Sequence, residues 1–105
     1  MVVPHLTAHE RAAALDKALA ARRVRAQVKA RLQCAEISIE EVLQQSETSD
    51  ALKQMKVSDL IEALPNFGAG RTQALMARLG IAPNRRIRGL GERQRTALSI
   101  EYPKV

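Results

Sequence analysis

Aromatic residues are almost missing from this chain: Phe67 and Tyr102 are the whole complement, and there is no Trp among 105 residues. A core must then be assembled from Leu, Ile, Val, Ala and Met, which suits small interlocking helices. The single cysteine, Cys34, excludes an internal disulfide and points to a reducing cytoplasm. It also lacks companions at zinc-ligand spacing. No apolar run approaches the ~18 residues of a membrane span, and the start Met1-Val2-Val3-Pro4-His5-Leu6 has no signal-peptide pattern. Catalytic constellations are wanting too. His5 and His9 have no partner at metal spacing beyond Glu10, and Glu36, Glu40, Glu41, Glu47, Asp50, Asp59 and Glu62 read as solvated helix faces. These absences predict a soluble cytoplasmic protein with no metal, no cofactor and no enzymatic activity.

What is present is charge, and it is segregated. The net charge of +6 divides into +5 over residues 1–33, −5 over 34–64 and +6 over 65–105. Solubility does not call for such blocks, whereas an extended polyanionic partner would use two basic surfaces separated by an acidic one.

Helix signals run throughout, and no stretch alternates as a strand would. Thr7-Ala8-His9-Glu10 is a capping box opening a helix to about Leu32; Ser38-Ile39-Glu40-Glu41 opens a second, short one through Val42 and Leu43. Ser46 to Asp50 reads as a turn, with Asp50 capping a short helix toward Met55. Val57, Leu60, Ile61 and Leu64 have helical spacing, and Pro65 ends that helix. Arg71 to Leu79 repeats the pattern, with Gly80 as its C-cap. A last helix spans Glu92 to about Tyr102, burying Ala97, Leu98 and Ile100. The chain is expected to be all-α.

The first helix changes its apolar side near Arg22-Arg23. On a helical wheel Leu15 and Leu19 fall on one side and Val24, Val28 and Leu32 on another, while Arg11, Arg22, Arg25 and Lys29 share a basic face. One reading docks only Val24 to Leu32 and projects the Ala-rich amino-terminal half as a basic arm, with residues 1–32 as the long helix and arm and residues 33–105 as the domain. The other packs the helix along its length, or makes Leu15 and Leu19 a dimer seam, in which case the chain is a protein-interaction module.

Two segments look built to grip phosphate. Leu64-Pro65-Asn66-Phe67-Gly68-Ala69-Gly70-Arg71 lies between two short helices, the layout of a helix-hairpin-helix. There a tight turn and a helix start present backbone N–H groups to an anion, and glycine lets the backbone approach closely. Asn66 stands where such hairpins often have Gly, and Asn tolerates positive φ. In the loop at 84–91, Arg85, Arg86 and Arg88 surround an anchoring Ile87; guanidiniums offer five donors in a fixed fork. Gly89 and Gly91 follow, with Gly91 preceding a further helix start, a second potential anion site. Two such devices within 25 residues favour a nucleic-acid backbone over a single nucleotide. They are expected to clamp phosphates on the two sides of one groove.

Taken together, Lys53-Gln54-Met55-Lys56-Val57-Ser58-Asp59-Leu60, Leu64-Pro65 with Gly68, Leu79-Gly80-Ile81 and Arg85-Arg86-Ile87-Arg88-Gly89-Leu90-Gly91 resemble the actinobacterial integration host factor family. Leu6-Thr7 with Arg11-Ala12-Ala13-Ala14-Leu15, and the Ala-Arg-Arg-x-Arg-Ala stretch at 21–26, extend the resemblance over nearly the whole chain. It implies a helix-two-turns-helix domain with a long first helix: a monomeric nucleoid-associated protein. Such a protein would bind double-stranded DNA with little sequence preference, bend or compact it, influence supercoiling and assist phage integrase complexes. The implied contacts fall on Pro65, Asn66, Gly68, Gly70 and Arg71 in the hairpin and on Arg85, Arg86 and Arg88 in the loop. Two departures stand out: Asn66 for the usual Gly, and Gly70-Arg71-Thr72 for a more basic stretch. The same helical device occurs in a ribosomal protein, so an RNA-binding or ribosome-associated role is the alternative. The scarcity of stacking aromatics and the short tail argue against it.

Overall fold

The computed structural model describes residues 7–101; His5 and the expected helix end at Tyr102 lie outside them. Both expected N-caps form. Thr7 Oγ1 accepts from Glu10 N at 3.0 Å and opens α1 (Ala8–Gln33). Ser38 Oγ accepts from Glu41 N at 3.2 Å and opens α2 (Ile39–Ser46). The next boundary differs from expectation. Helix α2 continues to Ser46, which is buried and returns its hydroxyl to Leu43 O at 2.6 Å. Ser49, not Asp50, then caps α3 (Asp50–Lys53), its Oγ accepting from Leu52 N at 3.4 Å. Asp50 becomes the first helical residue, where its negative charge meets the positive end of the helix. The remaining elements are α4 (Val57–Glu62), α5 (Ala69–Arg78), a single 3-10 turn (Ile87–Gly89) and α6 (Glu92–Glu101). Among the described residues there is no strand, and an isolated antiparallel bridge joins Lys56 to Arg86. The chain is all-α.

Two helices end in the same way. At α5, Gly80 has φ 71° and Ile81 N reaches back to Met76 O at 2.8 Å. At α1, Ala35 has φ 58° and Glu36 N reaches back to Arg31 O at 2.8 Å. Both are Schellman closures, which place one residue in the left-handed region; glycine takes that conformation freely and alanine does so at a cost.

The core is aliphatic, as the lack of aromatics requires. Leu32, Ile39, Val42, Leu52, Met55, Val57, Leu60, Ile61, Ile87 and Leu98 are essentially sealed from solvent, and the half-buried Phe67 lies at its edge. Helix α1 contributes only Val28 and Leu32. Val24, expected to dock, is 36% exposed, and Leu15 is 61% exposed; every residue from Ala8 to Ala20 faces solvent. Ile100, expected in the core, is 72% exposed, because α6 meets α2 through a face centred on Leu98. The long α1 explains the extents of 47 × 31 × 24 Å and a radius of gyration of 15.8 Å, above the ~13 Å of a compact 100-residue domain.

Candidate nucleic-acid interface

The hairpin is built from the end of α4. After Glu62 the chain makes two tight turns, Leu64 N bonding to Ile61 O at 3.0 Å and Phe67 N to Leu64 O at 3.2 Å. Pro65 and Asn66 are exposed at its tip, and Asn66 has φ 64°, the conformation that glycine would otherwise supply. Helix α5 begins at Ala69, two residues before the expected Arg71, so Gly70 lies inside the first turn. Its N-cap, Gly68, carries no side chain to satisfy the end, and the first paired amide is Thr72 N, bonded to Gly68 O at 3.0 Å. The amides of Ala69, Gly70 and Arg71 therefore form an uncapped, positively polarised helix end. A Cβ built on Gly68 or Gly70 meets nothing within 4 Å, so no packing inside the protein requires glycine at either position. Arg71 lies over the Phe67 ring at 4.4 Å and donates to Asn66 O at 3.4 Å, which holds its charge beside the turn.

The arginine loop is pinned as the sequence suggests, through Ile87, and more firmly than a solvated charge run would be. Val57 N donates to Arg85 O and Ile87 N to Met55 O, both at 2.9 Å, so the loop is laced to the segment that enters α4. Its arginines are not equivalent. Arg85 folds back and donates to Gly89 O at 2.8 Å; a Cβ on Gly89 would come within 2.8 Å of the Arg85 Cδ, so any larger residue there would shift this arginine. Arg86 donates through Nη1 to Gln54 O. Arg88 is exposed and makes no hydrogen bond or ion pair with the described residues. The amide of Gly91, expected among the anion donors, is engaged by Gln94 Oε1 at 3.0 Å, while Gln94 Nε2 donates to Gly80 O at 3.0 Å. The helix-start side chain closes that amide to a ligand.

The basic face of α1 splits in the same way. Arg22 is exposed on the outer helix. Arg25 turns inward and donates to Ala51 O at 3.2 Å, and Lys29 lies 4.0 Å from Asp59. Arg25 and Lys29 thereby come to one cleft with Arg86, lined also by Gln54, Lys56 and Asp59. Lys56 was not singled out from the sequence: it caps α4 without a side-chain hydrogen bond, and nothing in its neighbours marks it. The loop sits at the first turn of α4 and the hairpin beyond its last. The six residues of α4 rise ~9 Å along the helix axis between the backbone bonds that hold the loop and the turns of the hairpin.

This arrangement of short helices about a hairpin and a basic loop is shared with known proteins. The model of the S13-like H2TH domain family, the helix-two-turns-helix class, matches residues 32–102. Nearly the full chain is 53% identical over 102 residues to the integration host factor of Mycolicibacterium smegmatis, covering 97% of each. It is 49% identical to that of Streptomyces coelicolor, covering 97% of this chain and 95% of the relative. A solved structure of sIHF bound to an 8-base-pair palindromic DNA superposes with a TM-score of 0.79 at 48% identity, covering 82% of this chain and 97% of that one. The chain belongs to the actinobacterial integration host factor family.

Proposed function

We propose that the protein is a nucleoid-associated factor that binds double-stranded DNA through its sugar–phosphate backbone, with low sequence specificity. One observation carries the reading: Gly68 and Gly70 border unpaired amides, and no contact within the protein explains their lack of side chains. Glycine there leaves the backbone open to something outside. The exposed Arg88, in the loop that is laced to the entry of α4, would supply a second contact, and a relative of known structure carries DNA. Backbone contacts position a protein on the duplex without reading its sequence. By holding both phosphate rails, the protein would bend the duplex and compact the nucleoid in the cytoplasm, alter supercoiling and assist phage integrase complexes, acting as a monomer. Residues 1–32 would form the long helix whose outer half reaches neighbouring DNA while its Arg22–Arg31 half works with the binding domain of residues 33–105.

The test is a gel shift of the full chain with two unrelated duplexes. Both are expected to bind at moderate salt, and a chain that shifts neither is an interaction module instead. Arg88→Ala should weaken the two equally, by about tenfold (about 1.4 kcal/mol), with no change in melting temperature because Arg88 supports nothing. Loss confined to one sequence would replace backbone contact by base readout.

A further inference from the structure

The cleft between α1 and the entry to α4 gathers four cations, Arg25, Lys29, Lys56 and Arg86, around a single acid, Asp59, with Gln54 and Met55 completing the wall. We infer that this cleft is a phosphate seat, separate from the hairpin, and that Lys56 and Asp59 set its affinity. The inference rests on the duplex-binding reading above and adds to it where α1 joins the contact.

Four like charges facing one another repel, and a single carboxylate cannot neutralise them. Two are held in place by backbone carbonyls: Arg25 by Ala51 O at 3.2 Å and Arg86 by Gln54 O. Each anchoring bond uses one of the guanidinium's five donors and leaves the others for a ligand, with the side-chain ordering already done before a ligand arrives. The cleft measures about 170 Å³, many times the ~10–15 Å³ that one water needs on this measure, so a phosphate group fits with part of its hydration shell. Lys29 and Asp59 are 4.0 Å apart, a loose pair with both side chains near half-exposed, so a phosphate oxygen can take over the ammonium. Asp59 therefore competes with the ligand for the same cation. Arg22 lies along the same side of α1 about two turns before Lys29, so a backbone rail leaving the seat can follow the basic half of the helix.

The experiment uses the full chain and a labelled duplex, followed by anisotropy over about 50–200 mM salt. Asp59→Asn removes the competitor and should tighten binding by about three- to tenfold. Lys56→Ala should weaken it by about fivefold and lower the log–log salt slope by about one, the value of one lost phosphate contact; a merely structural lysine would leave the slope unchanged. Lys56→Gln, which keeps the length of the stem, serves if the alanine variant melts early. Addition of inorganic phosphate should shift the amide resonances of Lys56, Val57 and Arg86. If the wild type binds the duplex while Asp59→Asn and both Lys56 variants leave affinity and slope unchanged, the seat is refuted and the backbone reading stands. Phosphate-induced shifts in that case would mark a seat for free phosphate only, which also overturns the inference. If the wild type binds no duplex, the fault lies in the reading beneath it.

Discussion

Gly70 offers an unusual separation of stability from function. It sits inside the first turn of α5, where glycine costs about 0.5–1 kcal/mol relative to alanine, and its missing Cβ would meet no atom of the protein within 4 Å. Gly70→Ala is therefore expected to raise the melting temperature while weakening duplex binding about tenfold (about 1.4 kcal/mol), since the new methyl stands where a phosphate must approach. Unchanged affinity in a more stable variant would remove the hairpin from the interface. Thr72, two residues on, is 1% exposed, and its hydroxyl has no hydrogen-bond partner. An orphaned buried hydroxyl costs about 1–3 kcal/mol, so Thr72→Val should stabilise by about 1 kcal/mol in urea unfolding. Ala35→Gly should do the same on a smaller scale. Relief of the left-handed alanine is partly offset by glycine's greater freedom in the unfolded chain, leaving a gain of about 0.5 kcal/mol. A lower midpoint would show that the φ of 58° at Ala35 is not a strain.

At the scale of elements, what the sequence discloses depends on whether a residue acts locally. Thr7 and Ser38 announce their helices because cap and partner are three residues apart, and Asn66 and Gly80 announce left-handed turns by residue type. Ser49 took the cap from Asp50 because burial of Ser46 carried α2 further than its polar composition suggests. The early start of α5 was hidden by Gly70, a residue that reads as a turn although its place is helical. The basic residues were visible as a set, but their division was not. Whether an arginine faces solvent or bonds to Gly89, Gln54 or Ala51 depends on contacts up to 32 residues away. Lys56 shows the converse, a side chain made relevant only by what folds beside it. Helix α6 illustrates how narrow such docking can be: Leu98 is its one fully buried side chain among the described residues. Leu98→Ala should cost about 2–5 kcal/mol, and amide exchange in α6 should become fast before that in α4 and α5. Uniform acceleration across all helices would mean that α6 folds as one unit with the rest.

Over the whole molecule, the charge blocks acquire a different meaning once α1 is seen in place. The first block is +5, yet its cations are unevenly spread: Arg11 and Lys17 are balanced by Glu10 and Asp16, and the excess lies entirely between Arg22 and Arg31. The solvent-facing stretch of Ala8 to Ala20 is thus electrically neutral, and the basic half of α1 is the half that touches the domain. An outer helix of this kind has little to gain from a phosphate rail by Coulomb attraction. The electrostatic part of binding should therefore reside in the hairpin, the loop and the Arg22–Arg31 half of α1. With about 6 phosphates neutralised, the log–log salt slope should be near −5 on the rule of about 0.9 per contact. Removal of residues 1–20 should leave both that slope and the affinity for a short duplex unchanged, with helicity lost only in proportion to the residues removed. Compaction of long DNA, measured as contour shortening of single molecules, should fall, because a neutral arm exposing Leu15 and Leu19 can act between bound copies or neighbouring duplexes but not on the rail itself. A slope reduced by two or more in the truncated chain would put the arm on the phosphates. A collapse of helicity would make it part of the core.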